Sequence, residues 1–202
     1  MLNCPSSDPF IRDFFFDEEQ KQFLRDKWVE TEANNLFRPA SQYNPQSEEI
    51  SINYNRYCQH GAIDYRDCAD IGMTLLEAVD DWYPERDPTL WFAQMEFIHY
   101  KGVGQKFGAH NDDNAEGSNH NRLYTTVTMI QKSEDLEGGS LIVWIPPNEF
   151  GDHGPTHIID LEPFETIIFP SYFMHEVTAL VKGDRRILIC WGQRGIPHQG
   201  NA

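Results

Sequence analysis

His110, Asn111 and Asp112 are consecutive, and on an extended strand positions i and i+2 project to the same face. An imidazole and a carboxylate placed that way can grip one metal ion, with Asp113 turned to the other side. The pair alone carries little information, because 8 histidines in a chain of 202 residues with 32 acids give about one His-x-acid triplet by chance. A third ligand is needed. His60, His120, His153 and His198 lie in polar or Gly/Pro-rich stretches, whereas His175 falls at the junction of TIIFPSYFM and EVTALV. In a closed antiparallel barrel such a distant strand can return beside the first. Two histidines and one aspartate are the facial arrangement of non-heme iron sites, which leaves coordination positions open on one side. A lone strand histidine is more often a core residue bonded to backbone, and His157 is an alternative third ligand of lower rank.

Arg185-Arg186 opens the apolar run ILICW. An arginine that enters a buried strand needs a partner, and its planar fork matches a carboxylate bidentately. Strand parity puts Arg185, Ile187, Ile189 and Trp191 on one face and Arg186, Leu188 and Cys190 on the other. A surface strand end, with the guanidinium groups in water, is the alternative.

These residues need a rigid frame, and the chain shows two textures. Residues 17–34 and 64–82 carry apolar residues near helical spacing: Phe23, Leu24, Trp28 and Val29, then Ile71, Leu75, Leu76, Val79 and Trp82. Both read as amphipathic helices, the second stopping near Pro84. From Leu90 the texture changes to short apolar runs, WFAQMEFIHY, LYTTVTMI, GSLIVWI, HIIDL, TIIFP, HEVTALV and RRILICW, punctuated by Gly and Pro turn pairs. Many short strands without intervening helices indicate an antiparallel jelly roll. The expected fold is mainly β with flanking helices (α+β). It is a single domain over 1–202, with a helical N-terminal brace at 1–89, a barrel core at 90–195 and a tail at 196–202. The polar stretch Asp113 to Asn121 reads as a loop.

Composition narrows the function. Sixteen basic against 32 acidic residues leave a formal charge of -16, which repels phosphate backbones and anionic lipid heads. No nucleic-acid or membrane partner is therefore expected, and a neutral or basic substrate is. MLNCPSSDPFIRDFFFDEEQ lacks the basic and apolar regions of a secretory signal, and no apolar run approaches the roughly 18 residues of a membrane span. Cys4, Cys58, Cys68 and Cys190 are too scattered for a disulfide framework or a zinc site, so reduced thiols in a cytoplasmic protein are expected. Gly102-Val-Gly104-Gln-Lys-Phe-Gly108 has the wrong spacing for a dinucleotide loop, and neither a nucleophile elbow nor a P-loop is present.

Several motifs in register resemble the Fe(II)/2-oxoglutarate-dependent dioxygenases, in their prolyl 4-hydroxylase-like branch. The resemblance runs from Tyr100 to Trp191. It comprises Tyr100-Lys-Gly-Val-Gly-Gln-Lys-Phe-Gly-Ala-His110-Asn-Asp112, then Arg122-Leu-Tyr-Thr-Thr-Val-Thr-Met-Ile130. The Gly-Gly turn at Glu137-Gly138-Gly139, Phe169-Pro-Ser-Tyr-Phe-Met-His175-Glu-Val177 and Gly183-Asp-Arg185 complete it. The resemblance implies a cupin-like double-stranded β-helix in which His110, Asp112 and His175 bind Fe(II). It implies that Arg185 pairs with the distal carboxylate of 2-oxoglutarate and that Tyr100 hydrogen-bonds to the same molecule. Where some members carry a second anchoring tyrosine this chain has Met129, so Thr126 or Thr128 is expected to substitute, and Trp191 to wall the pocket. Arg122 and Asn111 are candidate substrate contacts. O2 is the implied co-reactant and ascorbate a candidate reductant. With Asp112 retained, hydroxylation rather than halogenation is implied, with release of succinate and CO2. A prolyl residue in a peptide or protein is the implied target, and a free amino acid or other small molecule the alternative. A cupin-type isomerase or lyase and a non-catalytic binding module are readings of other classes.

Overall fold

Asp17 starts the first helix. Its carboxylate accepts from the backbone N–H of Gln20 at 2.8 Å, and the Gln20 side-chain oxygen accepts from the Asp17 N–H at 3.1 Å, so two orphan donors are satisfied reciprocally. The computed structural model describes residues 9–44, 49–52, 56–113, 121–146 and 154–195. Within them the chain runs through β1 (Ile11–Asp13), α1 (Glu18–Ala33), β2 (Arg38–Pro39), β3 (Ser41–Asn44), β4 (Glu49–Ile52), β5 (Arg56–Tyr57), β6 (Gln59–Ile63) and α2 (Ala69–Trp82). Next come β7 (Leu90–Tyr100), β8 (Lys106–His110), β9 (Arg122–Lys132), β10 (Glu137–Gly138), β11 (Leu141–Trp144) and β12 (Thr156–Ile159). β13 (Thr166–Pro170), β14 (Met174–Val177), β15 (Leu180–Lys182) and β16 (Arg185–Arg194) complete it. The expected tail 196–202, most of the expected loop 113–121, Cys4, His120, His153 and His198 lie outside the described residues.

Besides two two-stranded ribbons, β10-β15 and β3-β4, the strands form a seven-stranded sheet, in the order β1-β13-β9-β16-β7-β6-β2, and a five-stranded sheet, in the order β12-β11-β14-β8-β5. Their inner faces share one apolar core that includes Ile98, Tyr100, Val127, Ile187, Ile189 and Trp191 from the larger sheet and Leu141, Val143 and Val177 from the smaller. A second core lies between the helices and the outer face of the larger sheet, where Leu24, Trp28, Leu75 and Val79 meet Phe97, Leu188 and Cys190. This is the jelly roll expected from the run of short strands, with helices covering one face. The alternation along β16 falls as parity requires: Ile187, Ile189 and Trp191 inside, Leu188 and Cys190 against the helices. No helix among the described residues is long and apolar enough to cross a membrane.

The N-terminal 89 residues are more than a helical brace. β1, β6 and β2 extend the larger sheet and β5 the smaller. Between β5 and β6 only Cys58 intervenes, itself 3% exposed, so the chain passes there from one sheet to the other. Strands of two to five residues are too short to show a periodicity. The run HEVTALV likewise divides into β14 and β15, with the Thr178 hydroxyl accepting from the Ser140 N–H at the break. The Gly-Gly turn is imposed by space: Gly138 has φ 72°, and a Cβ there would lie 2.3 Å from the Ala179 carbonyl oxygen.

Trp28 is 2% exposed and its ring lies within 5.3 Å of the Phe37, Phe97 and His99 ring centroids, whereas its neighbour Val29 is 62% exposed. Trp28→Ala is expected to lower unfolding free energy by about 3–5 kcal/mol in urea titration, and Val29→Ala by less than about 0.5 kcal/mol. Equal effects would contradict the packing of α1 on the sheet.

Candidate metal centre

β8 ends on His110, and β14 lies antiparallel to it with His175 directly opposite His110. The backbone N–H groups of Asp112 and Asp113 both donate to the Ser171 carbonyl, at 2.9 and 3.2 Å, which fixes the turn after β8 against the approach to β14. One ligand atom from each of His110, Asp112 and His175 then falls within 4.8 Å of the others. His110 Nε2 stands 3.6 Å from Asp112 Oδ1, and His175 Nε2 stands 3.5 Å from Asp112 Oδ2. Two ligands about 2.1 Å from an ion and at right angles stand about 3 Å apart, so the donor set fits one ion with little adjustment. Among the described residues no other group of His, Cys, Asp and Glu converges in this way.

The two rings are oriented by the same device. Nδ1 of His110 donates to the Gly108 carbonyl at 2.8 Å and Nδ1 of His175 to the Phe173 carbonyl at 3.0 Å, which fixes the tautomer and leaves each Nε2 facing the centre. Burial, and then the neighbouring His175, bring the His110 pKa down to about 4, so its lone pair is free at neutral pH. Burial pushes Asp112 up, but His175, His110, the Trp191 N–H and Arg122 outweigh it and hold the carboxyl below its ordinary range. Asp112 Oδ2 accepts from Thr125 Oγ1 and from Trp191 Nε1, both at 2.8 Å, and Thr125 Oγ1 lies 3.0 Å from Ser171 Oγ.

Arg185 and Tyr100 are cross-strand partners on β16 and β7. They are 1% and 0% exposed, and the guanidinium lies 5.6 Å from the phenol ring centroid. Among the described residues neither Arg185 Nη1 nor the Tyr100 hydroxyl has a hydrogen-bond partner. Burial lowers the Arg185 pKa against the opposing pull of Tyr100 and Asp160, and raises that of Tyr100. A buried guanidinium fork and a buried hydroxyl without partners are costly unless an anion completes them, and a carboxylate is what their chemistry fits.

Other expected residues are placed differently. Thr126 and Thr128 lie on the helix side of the sheet: Thr126 Oγ1 bonds the Cys190 backbone at 3.2 Å, and Thr128 Oγ1 lies 2.8 Å from Thr166 Oγ1. The inner positions of β9 are Thr125, Val127 and Met129, so neither Thr126 nor Thr128 substitutes for a second anchor. Trp191 is on the inner face, yet its N–H is committed to Asp112. Arg122 is 6% exposed and stacks 3.9 Å over the Trp191 ring. Its Nη2 donates to Gln94 Oε1 at 2.6 Å, and its Nη1 stands 3.9 Å from Asp112 Oδ1. Asn111 is exposed between the two ligands of its triplet. His157 is registered on Val143, and Val143 on His175, so it sits two strands from His175 and packs on Phe10 instead. The supporting Thr125, Ser171 and Gln94 went unread in the sequence. For Thr125 the signal was strand parity, since it alternates onto the same face as Val127 and Met129.

Residues 95–193 match the family model described as the 2OG-Fe(II) oxygenase superfamily. A PKHD-type hydroxylase of Gloeothece citriformis is 29% identical over 111 residues, covering 54% of this chain and 44% of that protein. One of Parvibaculum lavamentivorans is 30% identical over 89 residues, covering 44% and 36%. The matches thus span less than half the length of either relative. Among solved structures, a Pseudomonas putida prolyl-4-hydroxylase superposes with a TM-score of 0.68 at 16% identity, covering 94% of this chain and 95% of that one. A Trichoplax adhaerens prolyl hydroxylase in complex with a hypoxia inducible factor peptide fragment gives 0.63 at 19% identity, covering 93% and 84%. The matched segment, residues 95–193, is a 2OG-Fe(II) oxygenase core. Its fold is the double-stranded β-helix of the prolyl-4-hydroxylase structures, and the cofactor set of that superfamily is Fe(II), 2-oxoglutarate and O2.

Trp191→Phe keeps the ring under Arg122 and removes only the donor to Asp112. It is expected to weaken Fe(II) binding about tenfold in anaerobic titration. Unchanged affinity would show that the indole bond does not hold the carboxylate for metal.

Proposed function

We propose that the protein is a hydroxylase that uses Fe(II) and 2-oxoglutarate to oxidise a C–H bond of a prolyl residue in a peptide or protein. The observation that carries this reading is the buried Arg185 guanidinium, whose Nη1 lacks a partner among the described residues as the Tyr100 hydroxyl does, inside the same barrel as the His110, Asp112 and His175 cluster. A metal-binding barrel of another class leaves that pair without a task. With iron and O2, 2-oxoglutarate is oxidised to succinate and CO2 while one oxygen atom enters the substrate C–H bond.

In this reading His110 and His175 offer their Nε2 atoms and Asp112 its carboxylate, while Thr125 and Trp191 keep the carboxylate in place. The Arg185 fork and the Tyr100 hydroxyl bind the distal carboxylate of the keto acid. Arg122 and Asn111 flank the centre where a substrate approaches. The peptide target is supported by the likeness to hydroxylases named for prolyl substrates. A neutral or basic peptide is favoured by the overall charge of -16. Near the centre itself the acids Asp112 and Glu96 are matched by Arg122 and Arg56. A cytoplasmic setting is part of the same proposal, and the free, buried thiols of Cys58, Cys68 and Cys190 agree with it.

The test is succinate release with proline-rich peptides, free amino acids and no added substrate. Peptides are expected to raise the rate above the uncoupled level and Arg185→Met to abolish it at ordinary 2-oxoglutarate concentrations. Stimulation by free amino acids alone would replace the peptide reading with the small-molecule one. No 2-oxoglutarate-dependent release at all would overturn the activity.

A further inference from the structure

Of the three residues in the metal cluster His110 is the least enclosed, its side chain 18% exposed against 6% for His175 and 8% for Asp112. Its Nδ1 bond to Gly108 fixes the tautomer through one atom of the ring, and the ring faces are left to be supported by packing. The plane is set by Phe107, whose ring stacks on the imidazole at 3.7 Å between centroids with 18° between planes. His175 has no such support: its neighbour Phe169 meets it edge-on at 5.0 Å. Phe107 is in turn covered by Arg56, whose guanidinium lies 5.1 Å from the ring centroid and whose strand is registered on Phe107 by backbone pairing. Arg56 Nη2 donates to Glu96 Oε2 at 2.8 Å, and Glu96 belongs to β7 of the opposite sheet. The ion pair therefore ties the two sheets together just where the chain crosses from β5 to β6.

We propose that Arg56 is a positioning residue for the metal centre, acting on His110 through the ring of Phe107. Attraction between the guanidinium and the ring face holds Phe107, and the held ring presents a flat surface that keeps His110 Nε2 aimed at the ion. Glu96 keeps the guanidinium from turning away. This rests on the reading of His110, Asp112 and His175 as metal ligands and extends it to a residue that touches neither metal nor cosubstrate.

The test is titration with Co(II), followed by its visible d–d absorption. The proteins are the wild type, Arg56→Gln, Arg56→Lys, Phe107→Leu and the double variant Arg56→Gln/Phe107→Leu. Arg56→Gln and Phe107→Leu are each expected to weaken Co(II) binding about tenfold and to shift the absorption band, which a simple loss of stability does not move. The double variant is expected to match Phe107→Leu alone, because Arg56 acts through that ring. Arg56→Lys is expected to recover most of the affinity. Wild-type affinity and band in Arg56→Gln, or independent effects that multiply in the double variant, would overturn the inference while leaving the metal site standing. A wild type that binds no Co(II), or binds it as well after His175→Ala, would overturn the metal reading and this inference with it. Should Phe107→Leu fail to fold, Arg56→Gln against Arg56→Lys decides alone.

Discussion

The pairing of β14 on β8 sets His175 opposite His110, and the rest of the site depends on that register. Side chains alternate with a period of two, so a slip of one residue would turn His175 outward and bring its neighbours into the cavity. The register is held from several directions. Val177 packs in the inner core, the Asp112 and Asp113 N–H groups share the Ser171 carbonyl, and β11 pairs along the other side of β14. The metal ligands thus come from positions the sheet would occupy for packing reasons alone, and Asp112 reaches them from the turn that the Ser171 carbonyl fixes.

β16 joins the two halves of the chemistry. Arg185 at its start and Trp191 further along share one face; the first is a buried cation whose Nη1 lacks a partner among the described residues, and the second bonds the Asp112 carboxylate. One central strand, paired with β7 and β9 over its length, therefore positions both the proposed anion anchor and the indole that bonds Asp112. A firm frame matters to the proposed role, because a buried guanidinium that waits for a carboxylate is tolerated only where the surroundings do not collapse onto it. The helices contribute by covering the outer face of this sheet, which lets Leu188 and Cys190 alternate with the working residues inside.

Part of this was legible in the sequence because it follows from strand periodicity. The face shared by Arg185 and Trp191 follows from alternation along the long strand β16, whereas His110, Asp112 and His175 were legible as a set through the resemblance of their motifs, since β8 and β14 are short and Asp112 lies in the turn after β8. Thr126 and Thr128 were expected near the second anchor for their hydroxyls, and strand alternation places them elsewhere. Positions 125–129 pair with β16 in unbroken register, so the inward residues are Thr125, Val127 and Met129, and the alternation that puts Met129 inside puts Thr126 and Thr128 on the other face. The short strands β5 and β6, and with them the contact of Arg56 with Phe107, were illegible because two-residue and five-residue strands are formed by tertiary pairing and not by local pattern. His157 sits in the same cross-strand row as His175, and only the strand order shows it to be two strands away.

The central claim is that His110, Asp112 and His175 hold iron while Arg185 holds the distal end of 2-oxoglutarate. Visible absorption under argon addresses both halves at once, because a keto acid chelated to Fe(II) gives a weak charge-transfer band. The wild type should develop the band when Fe(II) and 2-oxoglutarate are both present. His110→Ala and Asp112→Ala should lose it, and Arg185→Met should recover it only at much higher 2-oxoglutarate. A band that survives both ligand substitutions, or one that forms in Arg185→Met at the wild-type concentration, would contradict the assignment.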